Sequence, residues 1–365
     1  MLPSKNKKIT IIGNTGNIIR EAKIEQKQVA GLKISKQLDV ITRHLQEIAK
    51  SDGIAIRPLW LKPIPPIIYL EDLQKKYNVL VKKYVLNPIV GEFDDPTKQQ
   101  QCVLRLPLSE KGNLIIYGAA KSGKVSFIET VITSLIQNHT PDEVNLYLLD
   151  FGTQTLKAYA NAPHVGDVVF SFEQEKVKNL YMFLMNEIKV RQKLFADFGG
   201  DYSVFIKNSM EKLPCIVVVL NGFDRYKELY SDYEDALKYL CGEGLKYGIY
   251  FIITAQTANS VNYSLRDHFK QLFVLQMNDS LDYNQFFSKV RGMEPSKIFG
   301  RGLVSLNESD DIYEFQTAHC TKNPNVYGTM QKLCNELMDN WHGAVAPKIK
   351  TLPECVSYEY VKKYA

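Results

Sequence analysis

The sequence lacks any cysteine pair of the kind that binds zinc or builds a disulfide framework. No two of its six cysteines stand in a C-x-x-C spacing among the 365 residues. Single cysteines without such partners are typical of reduced thiols in a cytosolic protein. The six positions are Cys102, Cys215, Cys241, Cys320, Cys334 and Cys355.

Long apolar runs are also missing. Runs such as residues 215–220 and 250–253 are far shorter than the ~20 residues that a membrane-spanning helix needs. The first residues lack the apolar core of a signal peptide. We therefore expect no membrane helix and no signal peptide in this sequence.

Charge of one sign is not in large excess. Lys and Arg total 45 against 40 Asp and Glu, a net charge of +5, and the one basic cluster is Lys5, Lys7 and Lys8. The 21 Tyr and 17 Phe are not interleaved with Lys and Arg as a groove for single-stranded nucleic acid requires. We therefore expect no nucleic-acid partner. With 45% hydrophobic and 23% charged residues, the composition is that of a soluble globular protein.

The chain divides into three predicted parts. Residues 1–52 are rich in Lys and Gln and are predicted to be a linker or the tail of a preceding domain, with a strand near 9–12 and a helix over 38–48. One large domain is predicted over 53–355, followed by a C-terminal tail over 356–365. The prolines around Trp60 impose extended backbone and predict a strap that lies on the surface of this domain. They are Pro58, Pro63, Pro65 and Pro66.

Within the large domain, short apolar segments alternate with long helical stretches. Such segments are typical of parallel strands buried on both faces. The clearest connecting helix has apolar residues at helical spacing from Val177 to Leu194 and is predicted to end near Gly199 and Gly200. The pattern predicts an α/β, three-layer domain with a mainly parallel central sheet. The predicted strands are 114–117, 146–149, 216–220, 251–254 and 272–275.

A last amphipathic helix carries Met330, Leu333, Leu337 and Trp341 on one side. Its apolar side either packs against the domain's own sheet or forms a docking face for a helical partner. We favour packing.

The first of these strands is followed by a phosphate-binding motif. The glycines of G-x-x-x-x-G-K allow backbone N–H groups to approach a phosphate chain, and the lysine reaches the β and γ phosphates. The motif therefore predicts an ATP site, although the departures described next make the predicted binding weak or absent. Its residues are Gly118, Ala119, Ala120, Lys121, Ser122, Gly123, Lys124, Val125 and Ser126.

The groups that should hold Mg²⁺ and activate water are absent from their positions. Val125 replaces the hydroxyl residue that binds the metal, and Ser126 is rotated by about 100° on the helix. The buried strand 215–220 is followed by Asn221 and Gly222 where an Asp-Glu pair is expected. Asp224 is expected to cap the next helix. The sequence therefore predicts no magnesium site and no catalytic residue.

Three further polar residues are candidates for the site. Gln256 follows the strand 251–254, where it would face the γ-phosphate as a sensor. Asp150 ends another strand and is expected to anchor the following turn. His164 is expected to be a loop histidine bonded to backbone, since no nucleophile accompanies it.

Taken together, these segments resemble an FtsK/SpoIIIE-type P-loop domain, and more narrowly the C-terminal ATPase module of the EssC family of type VIIb (Ess/ESX) secretion. The resemblance covers about residues 55–355 and rests on the order of several short segments rather than on any one of them. These are residues 60–66, 94–96, 149–152, 163–168, 254–256, 300–303 and 352–354.

The resemblance implies a RecA/FtsK-like P-loop NTPase fold in a membrane-anchored chain of several ATPase domains, located at the cytoplasmic side of the membrane. It implies the neighbouring ATPase domains as partners and secreted helical WXG-type or effector substrates as cargo, and it leaves a homo-oligomer open. The family's arginine finger is expected near the start of the last parallel strand. This sequence has Lys270, Gln271 and Leu272 there.

The altered residues favour a module that does not hydrolyse ATP, and the resemblance implies that it serves substrate recognition or coupling. One alternative is an active ATPase motor in which Asn221, Asp224 and Ser126 share the magnesium ion. A less favoured alternative is an FtsK-like DNA translocase, which would bind DNA in a salt-dependent manner.

Overall fold

The computed structural model describes residues 7–13, 16–24, 37–54, 62–287, 293–306 and 311–351. Of the predicted segments, Pro58, Trp60 and the tail 356–365 lie outside these residues. The chain separates into two compact units, Met1–Leu59 and Trp60–Ala365. None of the described helices is both long enough and apolar enough to span a bilayer.

The first unit contains a β-hairpin and a helix. Strands β1 (Lys7–Ile12) and β2 (Ile18–Ile24) pair in antiparallel fashion, and α1 covers Gln37–Ser51. The predicted strand at 9–12 and helix at 38–48 lie within these elements.

The second unit is built on one sheet, to which ten of the described strands belong, in the order β4-β3-β12-β11-β10-β5-β9-β8-β6-β7. The strands are β3 (Ile89–Asp95), β4 (Gln100–Arg105), β5 (Leu114–Tyr117), β6 (Val144–Asp150), β7 (Val165–Phe170), β8 (Cys215–Asn221), β9 (Ile249–Ala255), β10 (Gln271–Leu275), β11 (Arg301–Ser305) and β12 (Ile312–Thr317). The helices are α2 (Leu70–Tyr77), α3 (Leu108–Lys111), α4 (Lys124–Asn138), α5 (Gln174–Leu194), α6 (Tyr202–Asn208), α7 (Phe223–Leu229), α8 (Glu234–Glu243), α9 (Tyr263–Arg266) and α10 (Val326–Asn340).

The half of the sheet from β10 to β7 is parallel and contains all five predicted strands. Every residue of β5, β6, β8 and β9 is buried. Strands that are apolar throughout can be buried in this way only when helices cover both faces of the sheet. The predicted α/β architecture with a mainly parallel sheet is confirmed, and the carboxyl ends of β5, β9, β8 and β6 meet at one edge.

The other half of the sheet is antiparallel and was not predicted, because its strands are only partly apolar. Residues 62–66 of the predicted strap lie against this half: Ile64 is buried, and the carbonyl of Lys62 accepts from the side chain of Gln101 on β4 (2.8 Å). The buried guanidinium of Arg301 at the start of β11 donates to the carbonyl of Ile64 (Nη2 to O, 2.8 Å) and to Gln316 (Nε to Oε1, 2.8 Å). The strap is therefore fixed by a charge-assisted hydrogen bond as well as by its buried isoleucine.

The last helix, α10, packs against the core. Met330 and Cys334 are buried, and Leu333 and Leu337 lie against the same core. The packing interpretation of this helix therefore fits the structure better than a free docking face. Trp341 is the residue that follows the helix, where its indole donates to the carbonyl of Ala344 (2.8 Å).

Candidate functional site

The phosphate-binding motif lies between β5 and α4, as the sequence predicts. Gly123 has a left-handed φ of +109°, which glycine adopts without strain. A Cβ on Gly118 would crowd the Ser122 hydroxyl and would lie 3.0 Å from the Cβ of Leu275. The backbone conformation therefore requires glycine at position 123, and close packing favours it at position 118.

The side chain of Lys124 is hydrogen-bonded to backbone carbonyls of its own loop. The Lys124 ammonium donates to the carbonyl oxygens of Gly118 and of Ala119, the latter at 2.8 Å. Burial lowers the pKa of Lys124 below its usual value, and the nearby carboxylate of Asp224 opposes this shift. An arriving phosphate would offer the ammonium a charged acceptor in exchange for two neutral ones.

Ser122 provides an independent sign that the loop accepts a ligand. Its side chain is 3% exposed, and its hydroxyl has no hydrogen-bond partner among the described residues. A buried hydroxyl without a partner costs free energy that a ligand acceptor would recover. Ser122 lines the cavity over the loop, so this hydroxyl is a candidate donor to a phosphate group.

A cavity of about 520 Å³ opens over the loop. This volume lies within the range of small-molecule sites, about 300 to 1,000 Å³. Gln256 is exposed on its wall, so the predicted sensor residue and the loop face the same space, although no side-chain contact of Gln256 tests the role. The lining comprises residues 120–126, Phe151, Gly152, Thr153, Asn221, Gly222, Asp224, Arg225, Thr254, Gln256 and Phe299.

Asn221 is part of a buried polar network at the carboxyl ends of β6, β8 and β9. Its amide donates to Asp150 (Nδ2 to Oδ1, 2.9 Å), and its carbonyl oxygen accepts from the Thr254 hydroxyl (3.0 Å). The same hydroxyl accepts from the backbone N–H of Gly222 (2.8 Å). Both polar atoms of the Asn221 side chain are therefore engaged within the protein.

Asp150 anchors the turn that follows β6, as predicted. Its carboxylate accepts from the backbone N–H groups of Gly152 (3.2 Å), Thr153 (3.1 Å) and Leu156 (3.1 Å), and it is 1% exposed. A carboxylate that is satisfied by several N–H donors and removed from solvent is a structural group.

The expectation that Asp224 caps the next helix is wrong. The position before α7 is Gly222, and no side chain caps that helix. The Asp224 carboxylate instead accepts from the backbone N–H of Gln256 (Oδ2, 3.0 Å) and from the hydroxyl of Ser260. The loop after β9 brings donors that satisfy both oxygens, which sequence order does not indicate.

The described residues do not fit a magnesium ion at this site. Val125 offers no hydroxyl, Asn221 is held by Asp150 and Thr254, and Asp224 is the one acidic residue among those that line the cavity. No group of three or more His, Cys, Asp or Glu that could hold a metal occurs within the described ranges. Magnesium prefers carboxylate, phosphate and water oxygens, and the lining supplies no free carboxylate.

Sequence reasoning missed several cavity residues, among them Arg225 and Phe299. Arg225, on the first turn of α7, has a side chain that is 56% exposed and pairs with Glu228 (2.8 Å). Phe299 is 47% exposed and comes from the segment before β11. The P-loop pattern gives no signal for either residue, because both reach the cavity through the topology of the sheet.

Two titratable groups have strongly shifted pKa values, one on α4 and one beyond the carboxyl end of that helix, at the opposite end from the P-loop. Burial, with a contribution from the charge of Asp150, raises the pKa of Glu129 on α4 to about 7. Burial lowers the pKa of His164 to about 4, and its Nε2 lies 2.8 Å from the carbonyl oxygen of His139. His164 is therefore the backbone-bonded loop histidine that the sequence predicts.

Comparisons with known proteins identify relatives of this chain. A model of the FtsK/SpoIIIE family matches residues 88–293, more than half of the chain. The ESX secretion system protein YukB of Bacillus subtilis is 24% identical over 357 residues, which is 96% of this chain and 23% of YukB. The chain thus spans about a quarter of the length of this curated relative.

Two solved structures share the fold. EssC (ATPases 2 and 3) from Geobacillus thermodenitrificans has a TM-score of 0.72 and 25% identity, covering 83% of this chain and 57% of that one. EccC (ATPases 2 and 3) from Thermomonospora curvata was solved in complex with a signal sequence peptide. It has a TM-score of 0.71 and 24% identity, and the match covers 82% of this chain and 57% of the EccC chain.

Proposed function

Since this chain belongs to the FtsK/SpoIIIE family, we propose that it is a catalytically degenerate P-loop domain at the C-terminal end of a membrane-anchored type VII secretion protein. The narrower resemblance to EssC is confirmed by relatives named EssC and YukB. In this proposal the domain contributes to substrate recognition or coupling during protein export, and other domains of the same protein supply the hydrolysis.

The observation that carries the proposal is the state of Asn221. It stands at the sequence position where the metal-binding carboxylate is expected, it carries no charge, and its two polar atoms are hydrogen-bonded to Asp150 and to Thr254. Phosphoryl transfer in P-loop enzymes depends on Mg²⁺ and on a residue that orients the attacking water. Gly222, at the next position, has no side chain to activate that water.

The phosphate cradle supports retained binding without turnover. The glycines at 118 and 123, the ammonium of Lys124 and the unpartnered hydroxyl of Ser122 support this part of the proposal. When bound, ATP would supply its phosphates as acceptors for these donors. Weak binding is proposed because an arriving phosphate must compete with the carbonyls that already hold Lys124.

Partners are proposed from the relatives. EssC and EccC are solved as chains that contain ATPases 2 and 3, so neighbouring ATPase domains of the same chain are proposed as partners here. The EccC chain was solved with a signal sequence peptide, so a secreted helical substrate of the WXG or effector type is proposed as cargo. The proposed boundaries remain 1–52 for the tail of a preceding domain, 53–355 for this domain and 356–365 for the C-terminal tail.

Turnover by the purified chain tests the proposal. We expect ADP release with Mg²⁺ and ATP to stay below about 0.1 per second, two orders of magnitude under the median enzyme. The Lys124→Ala variant sets the background from contaminating ATPases. ADP formation above that rate in the wild type and absent from the variant would establish the active motor instead.

An export assay separates the two functions in the whole protein. When Lys124→Ala is introduced into the full-length protein, a recognition module should retain most export of substrate, whereas a motor domain should lose it. Loss of export with normal protein levels at the membrane contradicts the recognition role.

A further inference from the structure

The aromatic ring of Phe299 faces the cavity of the P-loop. It is 47% exposed, although large apolar rings in this domain are mostly buried, and it lines the same space as Lys124 and Gly123. Its Cζ atom lies 3.6 Å from the position that a Cβ on Gly123 would occupy. An exposed ring beside a phosphate cradle is therefore part of the site and needs a chemical explanation.

The position of Phe299 is fixed relative to the phosphate loop. The backbone N–H of the next residue, Gly300, donates to the carbonyl of Ser122 (3.0 Å). The two backbones approach so closely that a Cβ on Gly123 would lie 2.9 Å from Gly300. Gly300 has a left-handed φ of +74°, and this turn directs the chain from the P-loop into β11. The ring is thus held by the loop itself.

The inner side of the ring is supported by His319. The two rings stack at an angle of 18°, with centroids 6.1 Å apart. The backbone of His319 is bonded on both sides, donating to Ile68 (2.8 Å) and accepting from Leu70 (2.9 Å). Burial lowers the pKa of His319 and so favours its uncharged form. Phe299 is therefore stacked with a ring whose backbone is fixed, while it also lines the cavity.

A flat, apolar surface next to a phosphate cradle matches a ligand that carries both phosphates and an aromatic ring. We propose that Phe299 is the nucleobase platform of this site, so that the domain takes nucleoside polyphosphates and holds the base by stacking. This inference rests on the proposed phosphate binding by the P-loop. Stacking on an aromatic side chain tightens binding by about 5- to 150-fold per base and tolerates any base, because every base has a π face.

Calorimetry with two ligands separates the platform from the cradle. ATP and inorganic tripolyphosphate are titrated, at millimolar concentrations, into the full chain and into Phe299→Ala, Phe299→Leu and Phe299→Tyr. We expect Phe299→Ala and Phe299→Leu to weaken ATP binding at least fivefold and to leave tripolyphosphate binding unchanged. Phe299→Tyr keeps a stacking ring and should bind ATP as the wild type does. The wild type should bind GTP within a few-fold of ATP.

Phe299→Leu is the matched control for folding, since it keeps an apolar side chain of similar bulk and removes the π face. Its unfolding temperature should equal that of the wild type. Lys124→Ala should weaken both ligands, because it removes a phosphate contact.

Three outcomes overturn the inference. If the wild type binds tripolyphosphate and ATP with equal affinity, phosphate binding by the P-loop is supported but base stacking on Phe299 is contradicted. If ATP affinity is unchanged in Phe299→Leu, the base lies elsewhere. If the wild type binds neither ligand, phosphate binding by the P-loop fails, and the platform fails with it.

Discussion

The side-chain amide of Asn221 donates a hydrogen bond to the carboxylate of Asp150, with Nδ2 and Oδ1 2.9 Å apart. The two residues are direct register partners at the ends of β8 and β6, and both are buried. Because Asp150 accepts this hydrogen bond, the side chain at position 221 must be a donor. An aspartate there would put two carboxylates next to each other in a buried environment.

An acidic residue at position 221 should therefore lower the stability of the protein. For Asn221→Asp we expect a loss of about 2 to 4 kcal/mol in the free energy of unfolding at pH 8, because two buried carboxylates repel each other. The loss should be smaller at pH 5, where the pair can share a proton. Urea unfolding at the two pH values measures both quantities.

The exchange of the two residues provides the control. Asn221→Asp combined with Asp150→Asn restores one amide and one carboxylate across the contact. It should recover part of the stability, though not all, because Asp150 also accepts from Leu156 through its second oxygen. If Asn221→Asp alone is as stable as the wild type at pH 8, the proposed repulsion does not exist.

The hydroxyl of Thr254 joins β9 to the same network. Thr254→Val keeps the shape and removes both the acceptor of Gly222 and the donor to Asn221. We expect a loss of about 1 to 3 kcal/mol, the cost of leaving a buried polar group without a partner. Thr254→Ser keeps the hydroxyl and should lose less than Thr254→Val. Equal losses in chemical denaturation would mean that the hydroxyl contributes no more to stability than the methyl group does.

Glu129 should make stability fall as the pH rises. Its pKa is about 7 in the folded protein and about 4.5 when unfolded, so between these values the folded state binds a proton that the unfolded state does not. The free energy of unfolding therefore decreases from pH 4.5 to pH 7, by at most about 3 kcal/mol for this group. Above pH 7 its contribution is constant.

Glu129→Gln removes that titration. The variant should be more stable than the wild type at pH 8 and equal to it near pH 4.5, as thermal unfolding across the range can measure. A stability difference that does not change between pH 4.5 and pH 8 would show that Glu129 does not titrate in this interval.

Chelation of magnesium should leave ATP affinity unchanged within about threefold. The cavity is lined by the cations Lys121, Lys124 and Arg225, and its one acid, Asp224, is already hydrogen-bonded. Magnesium sites in phosphate-binding proteins use carboxylates in addition to the phosphates. Calorimetry in EDTA and in excess Mg²⁺ tests this expectation.

Val125→Thr is the informative variant for the same measurement. It returns the missing hydroxyl, but we expect no magnesium dependence, because the carboxylate of the metal site is still absent. A tenfold or larger loss of affinity in EDTA, in either protein, would mean that the metal finds ligands in this cavity.

Five of the six strands in the parallel half could be predicted because each contains a continuous apolar run, whereas β7 was missed because Gly166 and Asp167 interrupt its apolar residues. Residues 114–117 and 216–220 have no polar residue to compete with burial. The P-loop was equally predictable, since the backbone conformation requires glycine at position 123 and close packing favours it at position 118. The antiparallel strands gave no such signal, because partly exposed strands such as β4 do not differ from loops in composition.

The partners of the site residues could not be predicted. Asn221 and Asp150 are 71 residues apart in sequence, and the pairing register that brings them together is a property of the assembled sheet. Asp224 was misassigned because helix capping is a local rule, while its actual donors come from the loop after β9. Phe299 was missed because nothing in its neighbours indicates a cavity.

The hydrogen bonds of the Arg301 guanidinium affect how the domain would respond to a pulling force. Tension on the chain at residue 62 would load first the hydrogen bond from Gln101 to the Lys62 carbonyl (2.8 Å) and then the one from Arg301 to the Ile64 carbonyl. Arg301 is joined by one peptide link to Gly300, whose N–H donates to the carbonyl of Ser122. The strap and the phosphate loop are therefore connected through the first residue of β11.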